Sequence, residues 1–228
     1  MEPTDLDINT FLVASIHDMK NSLSVMHTLL DDAVHLVDDP ESPASKQLGQ
    51  ALYESQRVND NLIQLVSLYK INQKFYPFDP LEYDVADFAA EAVSRVAPLA
   101  KFRRISIGHD CPPGLRWYFD RELIFGAIVQ ALRNGMRYTR SKVHLQIQVE
   151  NDMLEFRIED DGPGYPPHML ASQPHAGLGV SFTTGSTGLG LYFSTVVARL
   201  HRNRGRMGTT RLDNGGALGG GVFVMHLP

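Results

Sequence analysis

The chain has 228 residues, 43% of them hydrophobic and 21% charged, and a formal net charge of −5. These proportions exclude a disordered or fibrous chain, and the acidic balance excludes a phosphate-tracking surface of the kind that nucleic acid requires. The single cysteine, Cys111, cannot close an internal disulfide and reads as a packing residue of a protein from a reducing compartment.

The first residues, MEPTDLDINT, carry acids where a secretory signal carries positive charge, and no stretch approaches the roughly 20 apolar residues that span a bilayer. A cytoplasmic protein without direct membrane insertion is therefore expected. Over residues 6–37, Leu12, Ile16, Met19, Leu23, Met26, Leu30, Ala33 and Val37 alternate spacings of four and three, which is a heptad seam on a helix. The polar, proline-bearing segment 38–45 turns the chain into a second helix over 46–73. Its seam runs through Leu48, Leu52, Ser55, Asn59, Leu62, Val66 and Tyr69, with two polar members in the middle. Two helices of this length enclose no core alone, so the pattern predicts a homodimer that pairs two hairpins into an antiparallel four-helix bundle.

FYPFDP at 75–80 changes the periodicity and sets a boundary near residue 76, giving a hairpin over 1–75 and a mixed domain over 76–228. In the second domain the pattern predicts a helix over 84–100, strands at 104–108 and 115–119, and a helix over 120–137 with Asp120 as N-cap. VHLQIQVE and MLEFRIED alternate around Asn151-Asp152 as a hairpin. A glycine- and proline-rich stretch over 162–190 precedes a helix at about 190–202 and strands near 205–212 and 217–227. The expected fold class is α+β, a mixed sheet covered by helices on one face.

Three segments carry chemistry. In IEDDGPGYP, residues 158–166, Asp160 ends a strand where its carboxylate can accept a hydrogen bond from an exocyclic amine, and Gly162 and Gly164 let backbone approach a ligand closely. In GSTGLGLYF, residues 185–193, Thr187, Gly188, Leu189 and Gly190 lead into a helix whose free N–H groups can face phosphates. In IVQALRNGMRYT, residues 128–139, Gln130, Asn134 and Arg137 share one helix face: Asn134 offers a hard cation its amide oxygen, Arg137 meets phosphate, and Tyr138 offers a ring to a base. Singly, each segment reads equally well as a turn, a helix start or a polar helix end.

In chain order on one domain, 128–139, 158–166 and 185–193 resemble the N, G1 and G2 boxes of the ATP-binding domain of sensor histidine kinases, shared more loosely with the gyrase and Hsp90 ATPases. Residues 165–186 resemble the family's ATP lid, with Phe182 at its phenylalanine position, and SIHDMKNSL at 15–23 resembles the H-box, in which the histidine accepts the phosphoryl group. The resemblance implies ATP and Mg2+ as cofactors, with magnesium on Asn134 and Gln130 beside it. It implies His17 as phosphoacceptor, Asp18 as the acid that orients or deprotonates it, and a response regulator receiver domain as partner. Asn21, one turn beyond His17, is placed to position a water against a phosphoaspartate, as in family members that are also phosphatases.

Three positions depart from the family pattern. Gln130 stands where Asn is common, and where gyrase-like ATPases carry a catalytic glutamate; a neutral amide takes no proton from water. Ser22 replaces a frequent proline, and Gly221 stands where a threonine often does. Two other readings stay open: a histidine phosphotransfer or adaptor protein with a vestigial nucleotide site, and a gyrase-like ATPase. The few residues before His17 hold no sensor segment, so the expected input is a separate sensor protein unless the chain is an excised core.

Overall fold

The structure, a computed structural model, describes residues 8–37, 39, 42–172 and 188–228. It divides into two compact units, Met1–Tyr76 and Pro77–Pro228.

The first unit is a hairpin of α1 (Ile8–His35) and α2 (Pro43–Asn72). The second helix begins earlier than its hydrophobic pattern suggests, because Ser42 Oγ accepts the Ser45 N–H and Pro43 fills the first position, where no N–H is needed. Ile16 is buried, but its seam neighbours Met19 and Met26 are 47% and 42% exposed, so one hairpin leaves part of its seam open.

The second unit is built from β1 (Leu81–Asp84), α3 (Val85–Arg103), β2 (Ser106–Asp110), β3 (Arg116–Phe119), α4 (Arg121–Tyr138), β4 (Lys142–Glu150), β5 (Met153–Asp160), α5 (Pro167–Ser172), α6 (Leu189–Leu200), β6 (Arg202–Asn203), β7 (Arg206–Met207), β8 (Thr209–Gly215) and β9 (Gly220–Leu227). Its main sheet has the order β2-β4-β5-β9-β8. The β2–β4 pair is parallel and the others antiparallel, so the sheet is mixed. Asp84 caps α3 by accepting the Ala86 and Asp87 N–H groups at 3.0 and 3.1 Å, and Asp120 caps α4 by accepting that of Leu123 at 3.1 Å. Asn151 and Asp152 both take positive φ, 52° and 57°, as the tight β4–β5 turn requires.

Period-two alternation decides which face is covered. Leu154, Phe156 and Ile158 of β5 pair with Leu227, Met225 and Phe223 of β9, and all six are buried. The helices α3, α4 and α6 pack on this face: the Phe88 ring of α3 stands 5.8 Å from Phe156, edge to face. Glu155, Arg157 and Glu159 point the other way, where Glu155 Oε2 meets His226 Nε2 at 2.9 Å and Arg157 Nε donates to Glu159 Oε1 at 2.5 Å.

Several expectations need correction. The pattern gives no sign of β1, a strand of four residues that pairs with β3 outside the main sheet. The strand expected over 205–212 is broken in two at Gly208, where a Cβ would lie 2.2 Å from the Ala198 carbonyl oxygen. The last strand begins at Gly220, after a turn whose Gly215, Gly216 and Gly219 take positive φ. Within the glycine- and proline-rich stretch, residues 167–172 form a short helix. Cys111 is half-buried beyond the end of β2, not a core packing residue.

Candidate active site

Asp160 closes β5 and is 7% exposed. Its Oδ1 accepts the N–H of Gly162 at 2.7 Å and that of Gly221, on the neighbouring strand, at 3.2 Å. Burial pushes the carboxyl above its usual range, against these two hydrogen bonds, and the adjoining Asp161 charge adds to the rise. Oδ2 accepts no hydrogen bond among the described residues, so one oxygen of a buried carboxylate is left for a donor that enters from outside. Gly162 is required by space: a Cβ there would fall 2.4 Å from the Tyr138 carbonyl oxygen and 2.8 Å from Asp160 Oδ1. The end of α4 thus lies directly on the turn after β5.

That contact is clamped by Asp161. Its Oδ1 accepts the N–H groups of Arg140, Ser141 and Lys142 at 2.8, 2.9 and 3.2 Å and the Thr139 hydroxyl, while Oδ2 accepts the Ser141 hydroxyl at 2.6 Å. Burial opposes ionisation, but the hydrogen bonds from Ser141, Thr139 and Lys142 outweigh it and hold this carboxyl well below the usual range.

On α4, Gln130 Nε2 reaches Asn134 Oδ1 at 3.5 Å, and both side chains are half-buried. The first turn of α6 comes against Gln130, since a Cβ on Gly190 would lie 2.9 Å from Gln130 Cγ and Nε2. Gly188 caps α6 at φ 61° with no side-chain bond to the helix, so the first N–H groups of α6 begin without intrahelical partners. Arg137 and Tyr138 are exposed, and the Arg137 guanidinium stands 5.5 Å from the Tyr138 ring centroid, charge over ring.

The structure therefore brings Asp160, Gly162 and Tyr138 together at one end of α4, and Gln130, Asn134 and Gly190 between α4 and α6. Gly164 takes φ 79° beside Asn214, and Leu189 is half-buried on the first turn of α6. His17, Asp18 and Asn21 lie on α1, with Asp18 and Asn21 exposed. The His17 side chain, Phe182 and Thr187 lie outside the described residues, as does most of the lid-like stretch.

The family described as histidine kinase-, DNA gyrase B-, and HSP90-like ATPase matches residues 119–228. The sensor-like histidine kinase SenX3 of Mycolicibacterium smegmatis is 27% identical over 213 residues, 91% of this chain and 54% of that protein. The sensor histidine kinase CpxA of Escherichia coli K12 is 25% identical over 238 residues, 94% of this chain and 50% of that protein. Residues 119–228 carry the ATPase domain of that family, and over nine-tenths of its length the chain is similar to sensor histidine kinases. It spans about half the length of these curated relatives. The fold is shared with the histidine kinase AdeS of Acinetobacter baumannii, at TM-score 0.60 and 18% identity over 92% of this chain and 96% of that one. It is shared also with full-length ShkA, solved in complex with AMPPNP, at TM-score 0.64 and 16% identity over 96% of this chain and 45% of that one.

In this site three participants escape sequence reasoning. Asp161 looks like a duplicate of Asp160, and its clamp becomes legible only when α4 and β5 are seen to end together. Asn214, in the DNGG turn, accepts the Tyr165 N–H at 2.6 Å and donates to the Tyr165 carbonyl at 2.9 Å, tying the β5 loop to β8. Gly220 would place a Cβ 2.4 Å from the Asp160 carbonyl oxygen, so the start of β9 is pressed against the pocket. The signal for both was there, as a glycine run of unusual density at 215–221.

Proposed function

We propose that this core binds ATP in the unit Pro77–Pro228, phosphorylates His17 with the γ-phosphoryl group, and passes that group to an aspartate on the receiver domain of a response regulator. The observation that carries the reading is Asp160: a buried carboxylate with one oxygen spent on two backbone N–H groups and the other open to an amine. The protein's work in phosphoryl transfer is mostly positioning and charge neutralisation. Asp160 orients the base, and the first N–H groups of α6 around Gly188 and Gly190, with Arg137 and Thr187, face the phosphates. Tyr138 offers its ring to the base, and Phe182 is the residue that the family resemblance assigns to the lid.

The donor set fits magnesium: Asn134 presents an amide oxygen, a hard ligand of the kind the ion takes along with phosphate and water oxygens, and the Gln130 amide lies beside it with its Nε2 3.5 Å from that oxygen. Bound there, Mg2+ would neutralise phosphate charge. Gln130 lies against Gly190 with an uncharged amide, which supplies no general base for water and favours a kinase over a dedicated ATP hydrolase. On α1, Asp18 orients the His17 imidazole, and Asn21 supports dephosphorylation of the receiver.

The working form is a homodimer in which the exposed apolar side chains of the hairpin, among them Val25, Leu29 and Ile63, are covered by a second copy. The reaction takes place in the cytoplasm, with the input supplied by a separate sensor protein or by segments beyond this core. No helix among the described residues is long and apolar enough to cross a membrane.

Incubation with γ-labelled ATP and magnesium tests the reading. It predicts acid-labile, alkali-stable label on the protein, absent from His17→Gln and chased onto a cognate receiver. Label persisting in His17→Gln overturns the site assignment, and steady phosphate release without protein labelling overturns the kinase reading.

A further inference from the structure

The nucleotide reading leaves one side chain of the pocket without a role, and we propose that it reads the base: the Tyr165 phenol is a specificity-determining hydrogen-bond donor beside Asp160 that selects a 6-aminopurine over a 6-oxopurine. The inference rests on that reading and names what the same site distinguishes.

Tyr165 is held in place by its backbone. Its N–H and carbonyl are both bound by the Asn214 side chain, at 2.6 and 2.9 Å, so the loop after β5 cannot carry the ring away from β8 and β9 without breaking two bonds. The ring lies over Gly221. A Cβ built on Gly221 would meet Asp160 Oδ2 at 2.7 Å and Tyr165 Cε2 and Cδ2 at 3.2 and 3.5 Å. The space that a side chain at 221 would fill is therefore shared by the open carboxylate oxygen and the edge of the tyrosine ring. Where the family pattern often places a threonine hydroxyl, this chain has no side chain and a phenol next door.

The hydroxyl makes no hydrogen bond among the described residues. A half-buried phenol without a partner forfeits what its O–H could gain. Burial, then the Asp160 charge and Tyr138, push its ionisation well above the usual tyrosine value, so it stays protonated and able to donate. Asp160 Oδ2 accepts and Tyr165 Oη donates. That pair complements an exocyclic amine next to an unprotonated ring nitrogen, the edge that adenine presents. A 6-oxopurine presents a carbonyl next to a ring N–H, which sets an acceptor against the carboxylate and leaves the donors mismatched.

Calorimetric titration of the full chain with Mg-ATP and Mg-GTP tests this on two sides. Tyr165→Phe keeps the ring and removes the hydroxyl, and should weaken ATP binding about tenfold while GTP binding changes little, so the preference shrinks by the same factor. Independently of any variant, 1-deaza-ATP, which keeps the amine and lacks the ring nitrogen, should bind the parent chain about tenfold more weakly than ATP and should bind the Phe variant no worse than ATP does. An unchanged ATP affinity in Tyr165→Phe, an equal loss for ATP and GTP, or undiminished 1-deaza-ATP binding to the parent overturns the assignment. Failure of the parent to bind either nucleotide overturns the nucleotide reading itself, and is told apart because it shows without any variant.

Discussion

In the unit Pro77–Pro228, Phe88, Phe119 and Phe156 meet edge to face with centroids 5.0 to 6.4 Å apart, and none is more than 2% exposed. In the hairpin, Ile16 is the one hydrophobic side chain buried among the described residues, while Val25, Leu29 and Leu36 are 61%, 63% and 82% exposed. The hairpin also buries polar atoms that find no partner among the described residues: His27 Nδ1, Ser55 Oγ, Asn59 Oδ1 and Gln64 Oε1. One unit has closed its interior, and the other has the surface of half a core. A catalytic module that folds alone can keep its pocket shape whatever its surroundings do. Under the proposed function, a hairpin whose core is completed by a second copy would tie the proposed phosphoacceptor His17 to assembly.

The largest expected effect probes the closed unit. Phe156→Ala should cost about 3–5 kcal/mol, because the cavity falls where three aromatic rings and both sheet neighbours converge. The one tryptophan, Trp117, donates from Nε1 to the Pro228 carbonyl at 3.1 Å, so its fluorescence in urea reports this unit. That transition should not move with chain concentration. The helical signal of the hairpin should: each tenfold dilution should remove about 1.4 kcal/mol of apparent stability if two copies share one core. A hairpin transition that stays fixed over a hundredfold dilution, on the order set by that mass-action term, would break the comparison.

Much of this contrast is legible from spacing. The alternating four-three seam of α1, the polar Ser55 and Asn59 in the α2 seam, and the period-two alternation of β4 and β5 each follow from which residues must be hidden. Asp120 reads as a cap because its side chain acts within one turn of its own position. What spacing does not carry is contact between segments far apart in sequence. Asn214 holds Tyr165 across 49 residues, and Gly221 donates to Asp160 across 61. Neither has a local period, and the glycines that permit them look like ordinary turns until the opposing backbone is in place. For the same reason the need for glycine at the break, Gly208, is invisible: the Ala198 carbonyl that leaves no room for a side chain there lies on another element.

A smaller effect sharpens the account of the closed unit at the pocket edge. Asp161→Ala removes five hydrogen-bond donors' common acceptor from the α4–β4 turn and should cost about 1–2 kcal/mol at neutral pH in the same fluorescence assay. The sign with pH is fixed by the depressed carboxyl. Its contribution is complete above the unfolded value of about 4 and is lost as the pH falls through the lower folded value, so parent and variant should converge in acid. A gap that stays constant into acid would mean that the turn is held by something other than the ionised carboxylate.

The smallest effect concerns His201, which joins the cap of α4 to the end of α6. Its Nε2 accepts the Asp120 N–H at 2.9 Å, which fixes the proton on Nδ1, where it is donated to the Val197 carbonyl at 2.8 Å. The ring is 4% exposed and meets Phe78 edge to face at 5.0 Å. Burial lowers its pKa, while the Val197 carbonyl and the Asp120 charge pull the other way. A second proton would sit on Nε2, facing the Asp120 N–H, and donor would meet donor. The neutral ring is therefore the native form: its contribution is whole above the unfolded value of about 6.5 and fades as the pH falls from there to the folded value, by at most about 1.4 kcal/mol per pH unit. His201→Phe cannot titrate and removes the ring nitrogen that accepts the Asp120 N–H, so it should be less stable than the parent near neutrality, with the gap narrowing as the pH falls below about 6.5. Because every other side chain is common to both proteins, the difference between the two urea series isolates this ring. A gap that is constant over that range would show that the α4 cap does not depend on the charge state of His201.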